Sequence, residues 1–152
     1  MKAVIQRVQH ACVQVDGNTV GEVGSGYLVL LGVMDGDTEH EADGLASKVA
    51  LLRVFEDENG KMNRSVLDVD GEILVVSQFT LCADVKKGNR PSFTPSAKPE
   101  EANRLYEYFM QQLKEQGVRK VEHGLFGADM KVSLLNDGPV TILFDTDTWC
   151  KK

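Results

Sequence analysis

Cysteine is scarce in this 152-residue chain: Cys12, Cys82 and Cys150 stand far apart, with no CxxC. An odd number of widely spaced thiols excludes the common zinc and dithiol patterns and suits a reducing compartment. Histidine is as thin, at His10, His40 and His123, with no HxxxH or HxE pair. No dedicated metal site is expected, and nothing calls for a cofactor. Long apolar runs are missing too; none approaches the ~20 residues that cross a bilayer. The opening MKAVIQRV places Gln6 and Arg7 where a signal peptide would be apolar, so the expectation is a cytoplasmic chain with no membrane. Basic charge is in deficit, 17 Lys and Arg against 23 Asp and Glu, for a net −6. That argues against a surface that binds DNA or RNA broadly, but leaves room for one local basic lip.

What is present is concentrated in GEILVVSQFTLCADVKKGNRPSF, residues 71–93. Ile73 to Val76 is an apolar, β-branched run, as in a strand buried on both faces. Ser77, Gln78 and Thr80 put hydrogen-bonding side chains at its end, in a strand read as 72–79. Lys86, Lys87, Arg90 and Pro91 follow at once as a basic loop, with Lys98 a possible extension of it. Polar groups on the tip of a rigid strand, beside clustered positive charge, suit a pocket for a polar ligand with an anionic tail.

The flanking sequence reads as scaffold. Residues 2–8 and 11–15 alternate as two half-buried strands, Asp16-Gly17 turns, and Thr19 to Val23 and Tyr27 to Val33 follow as strands. Thr38 and Glu41 form a capping box ahead of an amphipathic helix over 39–52. Val54-Phe55 is a strand end before an Asn-Gly turn. Three of the four prolines, Pro91, Pro95 and Pro99, fall within nine residues, which makes a stiff irregular arm. Pro99, Glu100 and Glu101 open a second helix with Ala102, Leu105, Phe109 and Leu113 inward and Gly117 at its stop. Val118 to Val121, Lys131 to Leu135 and Val140 to Phe144 are the last strands, with Asn136-Asp137-Gly138-Pro139 between the final two. The order of elements gives α+β: a mixed, strongly curved sheet with two main helices, one domain over 1–152.

Several residues invite two readings. Thr80 is the one hydroxyl of the motif placed for nucleophilic work, yet it lacks a neighbouring base, so a plain strand end is the simpler reading. The amides of Phe79 and Thr80 would hold an oxyanion if they leave the ladder. Cys82, two residues on, would face the same way on a strand, but a lone cysteine is usually a small core residue. Phe126, between glycines in GLFGADM, is a core anchor or a stacking surface, core being the safer choice. Arg7, among apolar neighbours, lies on a solvated face or pairs across an interface. Gly138-Pro139 reads as a loop by default.

Taken together, MKAVIQRV, GYLVLLGV, FEDENGKMN, SQFTL, GNRPSF, FGADM and NDGPVT resemble the D-aminoacyl-tRNA deacylase (D-tyrosyl-tRNA deacylase) family over essentially the whole length. SQFTL with NDGPVT, in that order, is the specific pair; Cys12 and Cys82 depart from the hydroxyl or aromatic residues expected there. The resemblance implies a homodimer in which a cis Gly138-Pro139 projects into the partner's pocket, its carbonyls crowding an L side chain while admitting a D side chain or glycine. It implies that Arg7 helps fix that dipeptide across the interface and that Ser77, Gln78, Phe79 and Thr80 line the pocket. Ala97, Phe126 and Met130 would contact the aminoacyl group or terminal adenosine, and Lys86, Lys87 and Arg90 the tRNA backbone. The reaction implied is hydrolysis of the ester on the tRNA 3′ end, by Thr80 attack or with the ribose 2′-OH assisting. The missing base favours the second. A non-catalytic RNA-binding module, or a small-ester hydrolase using Thr80 or Cys82, are the alternatives from other classes.

Overall fold

The computed structural model describes residues 1–150. Its main sheet is organised around one long strand, β1 (Lys2–Val15). Two strands lie end to end along one edge of β1, antiparallel to it: β2 (Asn18–Val23) against its second half and β3 (Gly26–Gly32) against its first. Along the other edge runs β8 (Lys131–Asp145). β6 (Glu72–Ser77) adds parallel to β3, and β7 (Val121–His123) parallel to β6, so the sheet is mixed. The α+β expectation holds.

The sheet curls until β2 meets β7, and Gly21 permits the approach. A Cβ at Gly21 would stand far inside contact distance of the His123 carbonyl oxygen. Inside the curl lies a small core of Val8, Ala11, Val13, Val23, Leu28, Leu74 and Val76. The larger core lies between the sheet and two helices, α1 (Glu39–Leu51) and α2 (Pro99–Glu115). Leu105, Phe109 and Leu113 of α2 are fully buried there, each contributing roughly 1.5–3 kcal/mol of apolar transfer. The capping box is present: Thr38 Oγ1 accepts from the His40 amide, and Glu41 Oε2 accepts from the Thr38 amide at 2.8 Å. The Met1 ammonium is buried against Asp37 (2.8 Å) and donates to Thr146 Oγ1 (2.7 Å).

Four readings of the sequence change. Residues 2–15 are one strand, not two, because exposed Gln9 and His10 are absorbed by register shifts rather than a turn. Phe55–Glu56 (β4) and Met62–Arg64 (β5) pair as a hairpin around the Asn59-Gly60 turn. Strand β7 begins at Val121, later than the 118–121 expected. Residues 131–145 are also one strand, and Asp137–Val140 form a bulge within it rather than a loop between strands. From Val8↔Asn136 to Gln6↔Thr141, β1 supplies Arg7 alone while β8 supplies four residues. Asn136 staples the bulge: its Oδ1 accepts from the Val140 amide and its Nδ2 donates to Thr141 Oγ1.

Candidate active site

The parallel strands β3 and β6 end side by side, and the chain leaves β6 earlier than its sequence suggests. β6 stops at Ser77, the Gln78 amide donates to the Leu31 carbonyl (2.7 Å), and Phe79–Cys82 wind into a 3₁₀ turn. The first amides of a helical turn have no partner within it. Those of Phe79 and Thr80 accordingly donate to no backbone acceptor among the described residues. The turn also separates the two candidate nucleophiles. Thr80 is exposed, whereas Cys82 is buried with Sγ 3.5 Å from the Val33 carbonyl, so they share no face. Burial pushes the Cys82 thiol pKa up.

At this corner the two cores meet, leaving a cleft of about 650 Å³. Ser77 lines it from the end of β6, Gln78 and Phe79 from the start of the 3₁₀ turn, and Met130 from the segment ahead of β8. Ala97 and Phe126 line it from the side of the larger core. The proline arm is held there by pairing with the end of β3: the Ala97 amide donates to Val33 and the Asp35 amide to Pro95. Phe79 and Phe93 close the rim edge to face, with centroids 5.0 Å apart. Phe126 is half-buried rather than core, a wall of the cleft braced by Tyr106 at 6.0 Å.

Thr80 itself does not line the cleft; its Oγ1 accepts from Gln78 Nε2 at 2.6 Å, just beside it. Lys86, Lys87 and Arg90 ride on an exposed loop pinned at its base by Asp84 and Ser92. No carboxylate among the described residues pairs with them. Lys98 joins the lining directly. Asp129, Ala128 and Ser96 line it as well, and sequence reasoning missed all three because only the tertiary fold brings 124–130 and the proline arm to the end of β6. Among the described residues no group of three or more His, Cys, Asp or Glu could hold a metal, and no helix is long and apolar enough to cross a membrane.

Gly138, Pro139 and Arg7 lie apart from this cleft. Arg7 is not on a solvated face: it is 8% exposed and binds carbonyls of its own chain. Its NH1 donates to the Val54 carbonyl at 2.6 Å and its Nε to the Asp137 carbonyl at 3.0 Å. Arg7 thus occupies the one β1 position opposite the bulge and anchors it. The Gly138–Pro139 peptide is cis, and both residues are exposed on the outside of the bulge.

Residues 4–145 match the family described as D-Tyr-tRNA(Tyr) deacylase. The chain belongs to that family. The D-aminoacyl-tRNA deacylase of Ruegeria pomeroyi is 63% identical over 145 residues, covering 95% of this chain and 99% of that protein. That of Geotalea uraniireducens is 60% identical, covering 96% and 94%. Among solved structures, one named c-Myc DNA Unwinding Element Binding Protein is similar at 46% identity with a TM-score of 0.90, over 95% of this chain and 98% of that one. A probable eukaryotic D-amino acid tRNA deacylase shares the fold at 18% identity, with a TM-score of 0.80 over 94% and 97% of the two chains. In this deacylase family member, the residues quoted for the resemblance fall within the matched span, apart from Met1, Lys2 and Ala3 of MKAVIQRV.

Proposed function

We propose that the chain hydrolyses the ester of D-aminoacyl-tRNA, and of glycine misplaced on tRNA, in the cytoplasm, rejecting L-aminoacyl-tRNA. The observation that carries this reading is a 3₁₀ turn opening with two unpaired amides, Phe79 and Thr80, beside a cleft of about 650 Å³. The terminal adenosine and its aminoacyl group enter between Phe126, Met130 and Ala97. Water adds to the ester carbonyl, and the Phe79 and Thr80 amides hold the oxyanion, the kind of donor whose removal typically costs 10²–10³ in rate. The C–O bond to the ribose then breaks, releasing the free amino acid and a tRNA 3′-hydroxyl. The ribose 2′-OH activates the attack, since no carboxylate or imidazole is hydrogen-bonded to Thr80. Lys86, Lys87 and Arg90 meet backbone phosphates and position the RNA without reading its sequence.

Selection of handedness comes from a second copy of the chain, whose Gly138-Pro139 bulge enters the cleft and places main-chain carbonyls where an L side chain would go. Three features support a homodimer of this kind. The bulge is exposed, it lies away from the cleft of its own chain, and the outer edge of β8 is unpaired among the described residues. The experiment is hydrolysis of D-tyrosyl- and L-tyrosyl-tRNA by the purified protein, with its mass measured in solution. Rapid loss of the D ester alone, from a dimer, is expected. Comparable rates on both esters, or full activity from a monomer, would overturn the chiral part; no loss of either would overturn the enzyme.

A further inference from the structure

We infer that a second cleft, on the far side of Phe126, holds the base of the nucleotide preceding the terminal adenosine. The inference rests on the reading just given and assigns a subsite it does not contain. This depression, about 550 Å³, lies between α2 and the segment from Val121 to Phe126. Phe126 lines both clefts, and α2 flanks both: Pro99 and Ala102 face the first, Asn103 and Gln111 the second. Phe126 is therefore the sill between two rooms of one groove. A strand whose last nucleoside sits in the first room has a direct path over the ring into the second.

The chemistry of the second room suits a base more than a phosphate or a peptide. Its walls are apolar at Leu125, 51% exposed, and at Phe126, whose ring is fixed on Tyr106. Tyr106, buried at 3% exposure, spends its hydroxyl on the Val75 carbonyl and braces Phe126 from behind. A braced aromatic ring is a stacking surface that tolerates any base, and the exposed leucine beside it adds apolar contact. The carboxamides of Asn103 and Gln111 make no other hydrogen bond among the described residues, and each offers a donor and an acceptor. Glu107 adds an acceptor of the kind that pairs with the exocyclic amine of cytosine, the base that precedes the terminal adenosine in tRNA. Lys114, at the far end, is placed for the next phosphate. The basic loop lies at the other rim, by Phe93, so the two features hold different parts of the RNA.

The test compares three substrates: D-tyrosyl ester on adenosine, on the dinucleotide cytidylyl-adenosine, and on tRNA. Wild-type protein is expected to show a kcat/KM on the dinucleotide about tenfold above that on the nucleoside, the size of one stacked base. Asn103→Ala with Gln111→Ala, and separately Leu125→Ala, should bring that ratio close to one. A wild-type ratio of one, or a ratio the variants leave intact, overturns the subsite. If the wild-type protein cleaves none of the three, the deacylase reading itself fails and not the subsite alone. Because the readout is a ratio within one variant, partial misfolding that lowers all rates together does not imitate the effect.

Discussion

Gln78 Nε2 donates to Thr80 Oγ1 across 2.6 Å. A hydroxyl that is to attack needs a base on its proton and a free lone pair on its oxygen. Here a lone pair is engaged by a donor, and no carboxylate or imidazole takes the proton. Thr80→Ala should therefore lower hydrolysis of D-tyrosyl-tRNA by less than about tenfold, against the order of 10⁶ lost with a serine-protease nucleophile. Single-turnover rates on normal and 2′-deoxy terminal adenosine decide the matter. Abolished hydrolysis in the variant, with the 2′-deoxy substrate still cleaved, would make Thr80 the nucleophile.

Gly138 is held at φ +132°, and a Cβ there would meet Val140 Cγ2 at 2.9 Å and Arg7 NH2 at 3.0 Å. Gly138→Ala should cost about 1–3 kcal/mol of stability by backbone strain alone. Because the bulge must shift to accept the methyl group, discrimination between D and L esters should fall as well. Denaturant unfolding measures the first effect and the ratio of the two hydrolysis rates the second.

Arg7 serves two carbonyls, Val54 and Asp137, from a buried position. Arg7→Lys keeps the charge but not the fork that reaches both, so it should be destabilising by about 1–3 kcal/mol for the carbonyl left without a donor. Selectivity should loosen in Arg7→Lys as in Gly138→Ala, since both act on the same bulge. A double variant tests this: losses well short of additive show one shared device.

Burial raises the Cys82 pKa, so at any given pH it holds less thiolate than an exposed cysteine. Alkylation at neutral pH should modify the half-exposed Cys12 and Cys150 first, with Cys82 reacting appreciably only as the pH rises toward its elevated pKa. Hydrolysis should survive labelling of the first two, read by mass spectrometry alongside activity. Inactivation in step with Cys82 labelling at neutral pH would restore the cysteine hydrolase reading.

The Met1 ammonium and Asp37 carboxylate pair at 2.8 Å with the ammonium fully buried and Asp37 nearly so. Asp37→Asn leaves that positive charge uncompensated and should cost about 3–5 kcal/mol. The Asp37 Oδ2 bond to the Met34 amide lies just beyond β3, near where the proline arm docks. A thermal melt gives the stability change, and activity well below the melt should fall only modestly.

Local signals in the sequence were legible where local physics decides the outcome. The Thr38 capping box and the Pro99 helix start are both in place, because caps depend on residues within one turn. SQFTL was legible as the polar tip of a strand, and it does border the cleft, but its shape was not legible. The turn at Phe79 is accompanied by long-range contacts, Cys82 beneath Val33 across 49 positions and the Gln78 amide on Leu31, that no local signal announces. The continuity of β1 and β8 was hidden for the same reason: Gln9-His10 and Asp137–Val140 read as breaks unless their partner strand is known. Arg7 was legible as anomalous, though not that its partners are its own chain's carbonyls.

The close seating of Gly21 on His123 has a bearing on association. By folding one end of the main sheet onto itself, it removes the edges of β2 and β7 as places for another strand to join. Among the described residues, the free border left to the main sheet is the 15-residue β8, where Leu135 and Leu143 face water at 46% and 75% exposure. A copy that joined by that border would arrive beside the bulge Arg7 anchors, so in the proposed homodimer the route to pairing and the presentation of Gly138-Pro139 would share one strand.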